Sequence, residues 1–409
     1  MFVGNKGKMA QFSAIAFVGQ NANGILAWWT KCIADRMAMY GVSVQIIDML
    51  QNEWTAQLDT RLKQGRPDFC FSFQGIGMAL ATEKGNLWSN LKVPFISSMG
   101  DAPYYSPALH RAVGVGLFNL YACHDFYDFY VRFFKGKNFA TVLPFGYPTN
   151  PHANDTAWQQ RDLELVFVKT GVNPEAIREP WGGLPKMMRD VLEEASAVAL
   201  SGQQETIGQI VAHAYAARQI HFGERLALFL RSCQHVDAYV RAVRADRMAR
   251  QVMRHGGHLF GDWPHLDKAN TRAVFHGALP ARELNKLYAR SRILVNTAPC
   301  TLTAIHERIL AAFQAKAFML ADGSPFLEKV LGDYPSFRPV PIDSPEFADA
   351  FDARISEIQE TGKDKFATRS MLENVQKKAE ATFGLDRFIS TMLEFILLNR
   401  TEAESSFYA

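Results

Sequence analysis

The stretch VNTAPCTLTAIHERILAAFQAKAFMLADG, residues 295–323, decides the fold class. An apolar strand over 293–296 leads into a turn through Pro299, and the pattern then predicts a helix over 303–316 and a second strand over 317–320. In such a unit, the free amides of the first helical turn and the positive end of the helix dipole point out of the carboxyl edge of a parallel sheet. This geometry favours the binding of a diphosphate.

The composition is that of an ordinary soluble globular protein, and 409 residues favour two domains. The net charge of +3 is spread along the chain, so we expect no nucleic-acid partner. Five cysteines without a C-x-x-C pair indicate reduced thiols and a cytoplasmic protein. No apolar run reaches the ~20 residues of a membrane span, and the apolar run near the N-terminus lacks a cleavage site. We therefore predict no signal peptide and no transmembrane segment, which leaves peripheral membrane contact open.

The first half alternates buried strands with helices. An apolar run over 13–18 precedes the polar loop GQNANG, a helix over 25–40 that Gly41 should end, and a strand over 42–47. The loop is not the G-x-G-x-x-G fingerprint, which weakens a dehydrogenase interpretation. Further strands are predicted over 68–73, 93–97, 116–122 and 141–143. The pattern indicates an α/β fold with a doubly wound parallel sheet.

Two strand ends in this half carry candidate catalytic residues. Asp101 lies in a Pro/Gly loop after a strand, where it could meet a ligand or hydrogen-bond its own backbone ahead of Pro103. His124 could be a general base or a ligand contact, and Asp125 could orient it or cap the following helix. The sequence leaves these alternatives open.

The segment PFGYPTNPHAND reads as a linker and hinge, and the α/β alternation begins again after it. Strands are predicted over 163–168, 258–260 and 293–296, so we expect two doubly wound domains facing each other. The histidines of His255-Gly256-Gly257-His258 lack metal-ligand spacing, and no other metal-ligand cluster is present. Neither a P-loop nor a G-x-S-x-G motif occurs, which argues against a covalent serine hydrolase.

From Gly261 onward the sequence resembles GT-B type glycosyltransferases, in particular the bacterial group 1 family related to spore-maturation glycosyltransferases. The resemblance covers most of the second half and, loosely, the first half around Asp101. The pieces that carry it are a strand ending in Gly261-Asp262-Trp263, Gly277 before a helix with an E-L-x-x-L-Y core over 283–288, a strand finishing in Asn296, a helix containing Arg308, and a strand ending in Asp322.

The resemblance implies two facing Rossmann-like domains in the GT-B architecture, with the last helix crossing back to the first domain. The expected domains are an N-terminal acceptor domain over 1–144, a hinge over 145–157, a C-terminal donor domain over 158–382, and the returning helix over 383–409.

The activity that the resemblance implies is hexosyltransferase-like. A sugar would move from a nucleotide-diphosphate sugar to an unidentified acceptor (a glycan, lipid or protein) in the interdomain cleft, without a metal or other cofactor. A nucleotide-sugar epimerase of the same architecture and a non-catalytic two-lobed nucleotide- or sugar-binding protein are the alternatives.

On this hypothesis the donor-binding residues are Lys169, Gly261, Trp263, Gly277, Asn296, Thr301, Thr303, His306, Glu307 and Arg308. The two threonines and Arg308 would face the phosphates, and Glu307 would accept hydrogen bonds from sugar hydroxyls. Groups near the two glycines and Trp263 would hold the base. Asp101 or His124 would be the catalytic base.

Three of these residues have alternatives. Lys169 could instead be a solvated lysine at a strand end, and His306 falls nearer the apolar arc of its helix, as a core histidine would. Many GT-B relatives carry a second acidic residue where this chain has Ala311. Helical spacing places Ala311 off the buried arc, together with Glu307 and Arg308.

Overall fold

The computed structural model describes residues 12–19, 24–111, 114, 116–135, 138–202, 204–298 and 300–408. The loop over 20–23 and the predicted turn at Pro299 lie outside the described residues. The chain forms two compact units, Met1–Gly146 with Gly384–Ala409, and Tyr147–Phe383. Each unit contains a six-stranded parallel sheet, so the predicted α/β class is confirmed.

The first unit is built on apolar strands that are buried on both faces, as the central strands of a parallel sheet are. The strands are β1 Phe12–Val18, β2 Val42–Asp48, β3 Phe69–Phe73, β4 Phe95–Met99, β5 Leu117–Tyr121 and β6 Phe139–Val142. Their order in the sheet is β2-β1-β3-β4-β5-β6, with every neighbouring pair parallel. Carboxyl ends of the strands therefore meet at one edge of the sheet.

The helices of the first unit connect these strands. They are α1 Ile25–Met37, α2 Trp54–Lys63, α3 Leu87–Leu91, α4 Pro107–Arg111 and α5 His124–Phe129. Helix α1 continues as a short 3-10 turn that ends at Gly41, whose φ of 76° is the left-handed conformation predicted for a C-cap. Cys123 is the N-cap residue of α5 and Asp125 is the second residue of this helix, so the N-cap alternative for Asp125 is wrong.

The second unit has the same architecture as the first. Its strands are β7 Leu163–Val168, β8 His258–Phe260, β9 Val274–His276, β10 Ser291–Asn296, β11 Phe318–Asp322 and β12 Phe337–Val340. The order is β9-β8-β7-β10-β11-β12, all parallel. From β7, the strands β8 and β9 are added on one side of the sheet and β10, β11 and β12 on the other, so the strand order reverses between β7 and β10. Such a reversal marks the ligand crevice in open α/β sheets.

A helical insertion separates β7 from β8, and the remaining helices follow the later strands. The helices are α6 Pro174–Arg178, α7 Lys186–Ala199, α8 Ile207–Ala217, α9 Leu226–Arg254, α10 Ala281–Arg290, α11 Glu307–Gln314, α12 Pro325–Leu331, α13 Phe347–Thr361 and α14 Lys365–Phe383. The buried side of α9 packs against β7 and β8 with Ala245, Met248 and Val252.

Helix α11 departs from its prediction in two respects. It begins at Glu307 rather than near Thr303, because His306 has extended backbone angles (φ −67°, ψ 141°) and acts as its N-cap residue. Ala311, expected off the buried arc, is 2% exposed. The physical reason is that α11 packs against α14 as well as against β10 and β11, so more than one face of the helix is buried.

The last helix, α15 Leu385–Tyr408, returns to the first unit as predicted. It packs on α1, where the guanidinium of Arg36 forms a salt bridge with Asp386 and the Tyr40 hydroxyl donates to the same carboxylate at 2.9 Å. Ile389 and Met392 are fully buried. Helix α15 therefore contributes side chains to the first unit's core.

Deleting α15 should leave the first unit insoluble. Each large apolar side chain that it buries contributes ~1.5–3 kcal/mol, and several of them together match the ~5–15 kcal/mol by which a domain is stable. The milder Ile389→Ala should lower the free energy of unfolding by ~2–5 kcal/mol in urea denaturation, whereas Leu398→Ala, at a side chain that is 74% exposed, should change it little. A soluble, cooperatively unfolding chain truncated after Phe383 would contradict this.

Candidate functional site

The reversal point of the second sheet is bridged by a lysine. Lys169 follows β7, Thr297 follows β10, and Lys169 Nζ donates a hydrogen bond to Thr297 Oγ1 at 3.1 Å. Ligands of open α/β sheets bind outside the carboxyl ends of the strands at this point. Lys169 is therefore not a solvated lysine at a strand end, because its side chain is partly buried and its ammonium group is hydrogen-bonded to Thr297.

Lys169 has an unusual charge environment. Its burial and the nearby guanidinium groups of Arg308 and Arg241 lower the pKa of Lys169 to about 7, while the carboxylate of Asp322 acts in the opposite direction. Losing water and facing like charges both disfavour the protonated form of an amine. The lysine is thus only partly charged at neutral pH, and a bound anion would restore its proton.

Arg308 is held at the same edge by a buried asparagine. The Nη1 of Arg308 donates to Asn296 Oδ1 at 3.0 Å, and Asn296, the last residue of β10, is 0% exposed. In the described part of the chain, Asn296 Nδ2 has no hydrogen-bond partner. The contact shows that Asn296 orients Arg308 towards the end of β10.

The N-terminus of α11 carries a histidine and a glutamate in contact. His306 Nδ1 lies 3.2 Å from the backbone nitrogen of Arg308 and 2.9 Å from Glu307 Oε2. A single ring nitrogen can accept from the amide or donate to the carboxylate, but not both. His306 is therefore a capping residue rather than a core histidine.

The same contacts keep Glu307 ionised. Burial raises the pKa of the Glu307 carboxyl, but the Arg308 guanidinium, together with His306 in the form whose Nδ1 donates to the carboxylate, more than offsets burial and lowers that pKa. Burial lowers the pKa of His306 despite the opposing carboxylate. Glu307 thus presents a carboxylate that can accept hydrogen bonds at the start of α11.

Thr301 and Thr303 occupy a different place from the one predicted. Because α11 begins at Glu307, both threonines lie in the irregular segment before His306, and their amides are not those of the first helical turn. Thr301 instead lines a separate cavity. Thr297, which the sequence analysis did not select, is the threonine that contacts Lys169.

Two glycines shape the backbone beside Lys169. Gly261 ends β8 with a φ of +107°, and a Cβ there would lie 2.6 Å from the carbonyl oxygen of Lys169. Its amide donates to the carbonyl of Gly277 at 3.2 Å, which joins the ends of β8 and β9. Gly277 is exposed, with open space where a Cβ would be.

The indole of Trp263 packs in the core of the second unit. Trp263 is 1% exposed, its ring centroid lies 5.6 Å from that of Phe167, and a Cβ on Gly171 would approach its six-membered ring to 2.0 Å. The buried indole of Trp263 is therefore not available to hold a nucleotide base. The backbone near Trp263 stays a candidate for that role.

In the first unit, Asp101 and His124 follow neighbouring parallel strands. Strand β4 pairs with β5 up to Met99 and Tyr121. Asp101 and His124, which follow these strand ends, therefore lie at the same edge of the sheet. Asp101 is exposed, and its Oδ2 accepts from the Gln74 side-chain amide at 3.0 Å. His124 is exposed and begins α5. Gln74, which follows β3, was not among the predicted site residues.

Sequence reasoning also missed Arg241 and Asp322 as the charges around Lys169. Arg241 lies in the long helix of the insertion, where its spacing from other arginines looks like a solvated face. Asp322 ends β11, and its Oδ1 accepts from the amide of Ala298 at 2.7 Å. A charged residue at the end of a buried strand was the signal that could have identified Asp322.

Metal and membrane features were searched in the described residues. No group of three or more His, Cys, Asp or Glu side chains in that part of the chain is arranged to hold a metal ion. His258 instead contacts His276 at 3.0 Å, and His255 contacts Asp352 at 2.8 Å. Within the described ranges, every helix is too short or too polar to cross a bilayer.

Three solved structures align with this chain over most of their length. An α-glucosyltransferase bound to UDP-glucose and DNA containing an abasic site superposes with a TM-score of 0.52 at 10% identity, covering 94% of this chain and 99% of that one. A glycosyltransferase from Rickettsia africae aligns with a TM-score of 0.47 at 12% identity, over 95% and 98% of the two chains. Anabaena HepE, in complex with UDP and glucose, aligns at 0.46 and 10% identity, over 94% and 99%.

No protein-family profile matches the sequence, and no curated protein matches it either. The first of these structures nevertheless shows that the chain has the fold of GT-B glycosyltransferases, which the sequence resemblance had indicated.

Gly261→Ala should destabilise the second unit and displace Lys169. The added Cβ would meet the Lys169 carbonyl, and the positive φ is strained for alanine, which together should cost ~1–3 kcal/mol. Gly277→Ala is the matched control, since nothing lies within 4 Å of its Cβ position. Urea denaturation of both variants tests this, and equal stabilities would show that the backbone at Gly261 is not constrained.

Proposed function

We propose that this protein is a glycosyltransferase that binds a nucleotide-diphosphate sugar at the reversal point of its second sheet and transfers the sugar to an acceptor. The proposal is supported by the GT-B fold and by one local observation. Lys169 stands at the reversal point, bonded to Thr297, with its pKa lowered to about 7 by burial and by two arginines.

The charges around Lys169 favour an anionic ligand. Arg308 and Arg241 repel the lysine ammonium, and Asp322 is the carboxylate that offsets them. Two negative phosphates placed against Lys169 and Arg308 would convert this repulsion into attraction, because each cation would then face an opposite charge. A diphosphate is thus a better occupant of this edge than a neutral ligand.

The same residues suit the chemistry of sugar transfer. The bond between the sugar and the diphosphate breaks with negative charge developing on the leaving phosphate, and fixed cations stabilise that charge. The side chains of Lys169 and Arg308 would supply this positive charge without a metal ion. The ionised Glu307 would accept hydrogen bonds from hydroxyl groups of the donor, and the backbone near Gly261 and Gly277 would contact the base.

The acceptor hydroxyl must lose a proton when it attacks the sugar, and a positioned carboxylate or imidazole can take that proton. We assign this role to Asp101 or His124 of the first unit, which follow neighbouring strands β4 and β5. The Gln74 amide that donates to Asp101 would hold the carboxylate in place.

Donor affinity should depend on pH through Lys169. A nucleotide-sugar diphosphate keeps its charge between pH 6 and 9, so Lys169 is the titrating group. The protonated lysine binds the phosphates better, and its pKa in the free protein is about 7. The Kd should therefore be constant below pH 7 and rise by up to about tenfold per pH unit above it. Calorimetry with UDP-, GDP- and ADP-glucose across this range measures the effect.

Three variants control that titration. Lys169→Arg should flatten the pH dependence, because a guanidinium stays charged throughout. Arg308→Ala should weaken binding by about tenfold or more through the loss of a charged hydrogen bond, and should move the inflection to higher pH because Arg308 lowers the pKa of Lys169. Arg290→Ala, at an exposed arginine paired with Asp162, should change neither. A pH dependence that survives Lys169→Arg would refute the assignment.

Asp101→Asn and His124→Ala separate catalysis from donor binding. The variant that removes the base should reduce sugar transfer by about 10²–10⁴-fold while leaving the donor Kd unchanged, since both residues lie in the first unit. Donor turnover and calorimetry on the same preparations give the two quantities. Full activity in both variants would exclude both residues as the base, and epimerisation of the donor without an acceptor would contradict transfer itself.

A further inference from the structure

The second unit contains a cavity of about 600 Å³ that the proposed diphosphate site does not use. Its walls are the segments that follow β10, β11 and β12 together with the connection between α7 and α8, and Lys169 and Arg308 are not among its lining residues. The volume lies within the range of pockets that bind small molecules. The α7–α8 connection closes one side, so the helical insertion creates this cavity.

Negative charge predominates on the cavity walls. Four carboxylate residues line it, Glu205, Asp322, Glu328 and Asp343, against two guanidinium residues, Arg244 and Arg354, and Asp343 is paired with Arg244 and also with Arg247, which lies outside the lining. Both arginines already have partners. Arg244 donates to Asp343 at 2.6 and 2.9 Å, and Arg354 donates to Glu357 at 2.8 and 2.9 Å. The other three carboxylates, Glu205, Asp322 and Glu328, form no ion pair with an arginine in the described part of the chain and would repel a phosphate or carboxylate ligand, which disfavours a second anion site.

The rest of the lining contains both hydrogen-bonding groups and apolar rings. Pro325, Pro339, Pro341 and Pro345 contribute saturated rings, and the exposed residues Ser201 and Gln204 contribute polar groups. A sugar ring has the complementary pattern, with hydroxyl groups around its edge and C–H groups on its faces. Carboxylates are good acceptors for sugar hydroxyls, because hydrogen bonds to charged groups are the stronger ones.

We propose that this cavity binds an uncharged saccharide longer than a single sugar ring. The space and the hydroxyl-accepting carboxylates favour such a ligand, while the negative surplus excludes uronic acids and sugar phosphates. Saccharide binding here does not require the diphosphate site, since the two sets of lining residues differ.

One contact links the cavity to the diphosphate site. Asp322 lines the cavity, and its Oδ1 holds the amide of Ala298, the residue after Thr297, which in turn accepts from Lys169. A saccharide that forms a hydrogen bond with Asp322 would therefore alter the position of the segment Thr297–Ala298, which contacts Lys169. This coupling rests on the proposed function, so we expect a change in nucleotide-sugar affinity when the cavity is filled.

The test uses the full chain without nucleotide. Saturation-transfer NMR and calorimetry are performed with cellobiose, maltose and N,N′-diacetylchitobiose, and with cellobiouronic acid as the charged counterpart. At least one neutral disaccharide should bind at least tenfold more tightly than the uronic acid. Absence of binding by all three neutral disaccharides, or equal binding of the uronic acid, would overturn the proposal.

Two tryptophan variants locate the binding. Gln204→Trp places a large ring at the exposed rim of the cavity and should abolish disaccharide binding, whereas Lys186→Trp, on an exposed part of α7 that does not line the cavity, should preserve it. Binding that survives Gln204→Trp would show that the saccharide sits elsewhere. Circular dichroism and urea denaturation of both variants check that they fold.

The two proposals fail independently. Because disaccharide binding is measured without nucleotide, its absence leaves the assignment of Lys169 and Arg308 intact. Conversely, a nucleotide-sugar Kd that ignores pH would refute the diphosphate site and leave saccharide binding in the cavity as it was measured. Titrating UDP-glucose with and without the bound disaccharide then measures the coupling between the two sites.

Discussion

The hydrogen bond between Lys169 and Thr297 joins the two strands between which the second sheet reverses its order. Parallel strands on either side of that point send their following segments in opposite directions, which opens a crevice at the carboxyl edge. Lys169 reaches across this crevice from β7 to the end of β10. The surrounding features, from the anchoring of Arg308 to the close approach of β8, are arranged around this lysine.

The close approach of β8 depends on a residue without a side chain. Gly261 passes within contact of the Lys169 carbonyl at a positive φ, and Gly171 leaves room for the indole of Trp263 two residues after the lysine. These contacts fix the backbone on both sides of Lys169. A buried amine with a lowered pKa requires such rigidity, since a mobile lysine would move into water and regain its ordinary pKa.

The helical insertion between β7 and β8 also contacts the segment that follows β12. Helix α9 contributes Arg244 and Arg247, which both bind the carboxylate of Asp343 after β12. This ion pair ties the insertion to the last strand of the sheet and forms part of a cavity wall. The loop after β10 thus lies between two environments, a cationic one around Lys169 and a predominantly anionic one in the cavity, with Asp322 contacting both.

The sequence alone determined the α/β class, the two domains' strand order along the chain and most strand boundaries, because apolar runs of strand length are a local signal. It also led to the prediction that Lys169, Arg308 and Glu307 are site residues, from their places after a strand or at a helix start. Only the tertiary structure decided that α11 begins at Glu307, that Ala311 is buried and that Thr297 contacts Lys169. Those outcomes depend on packing against α14 and on which strands are neighbours, and such contacts between residues far apart in the chain leave no periodic mark in the sequence.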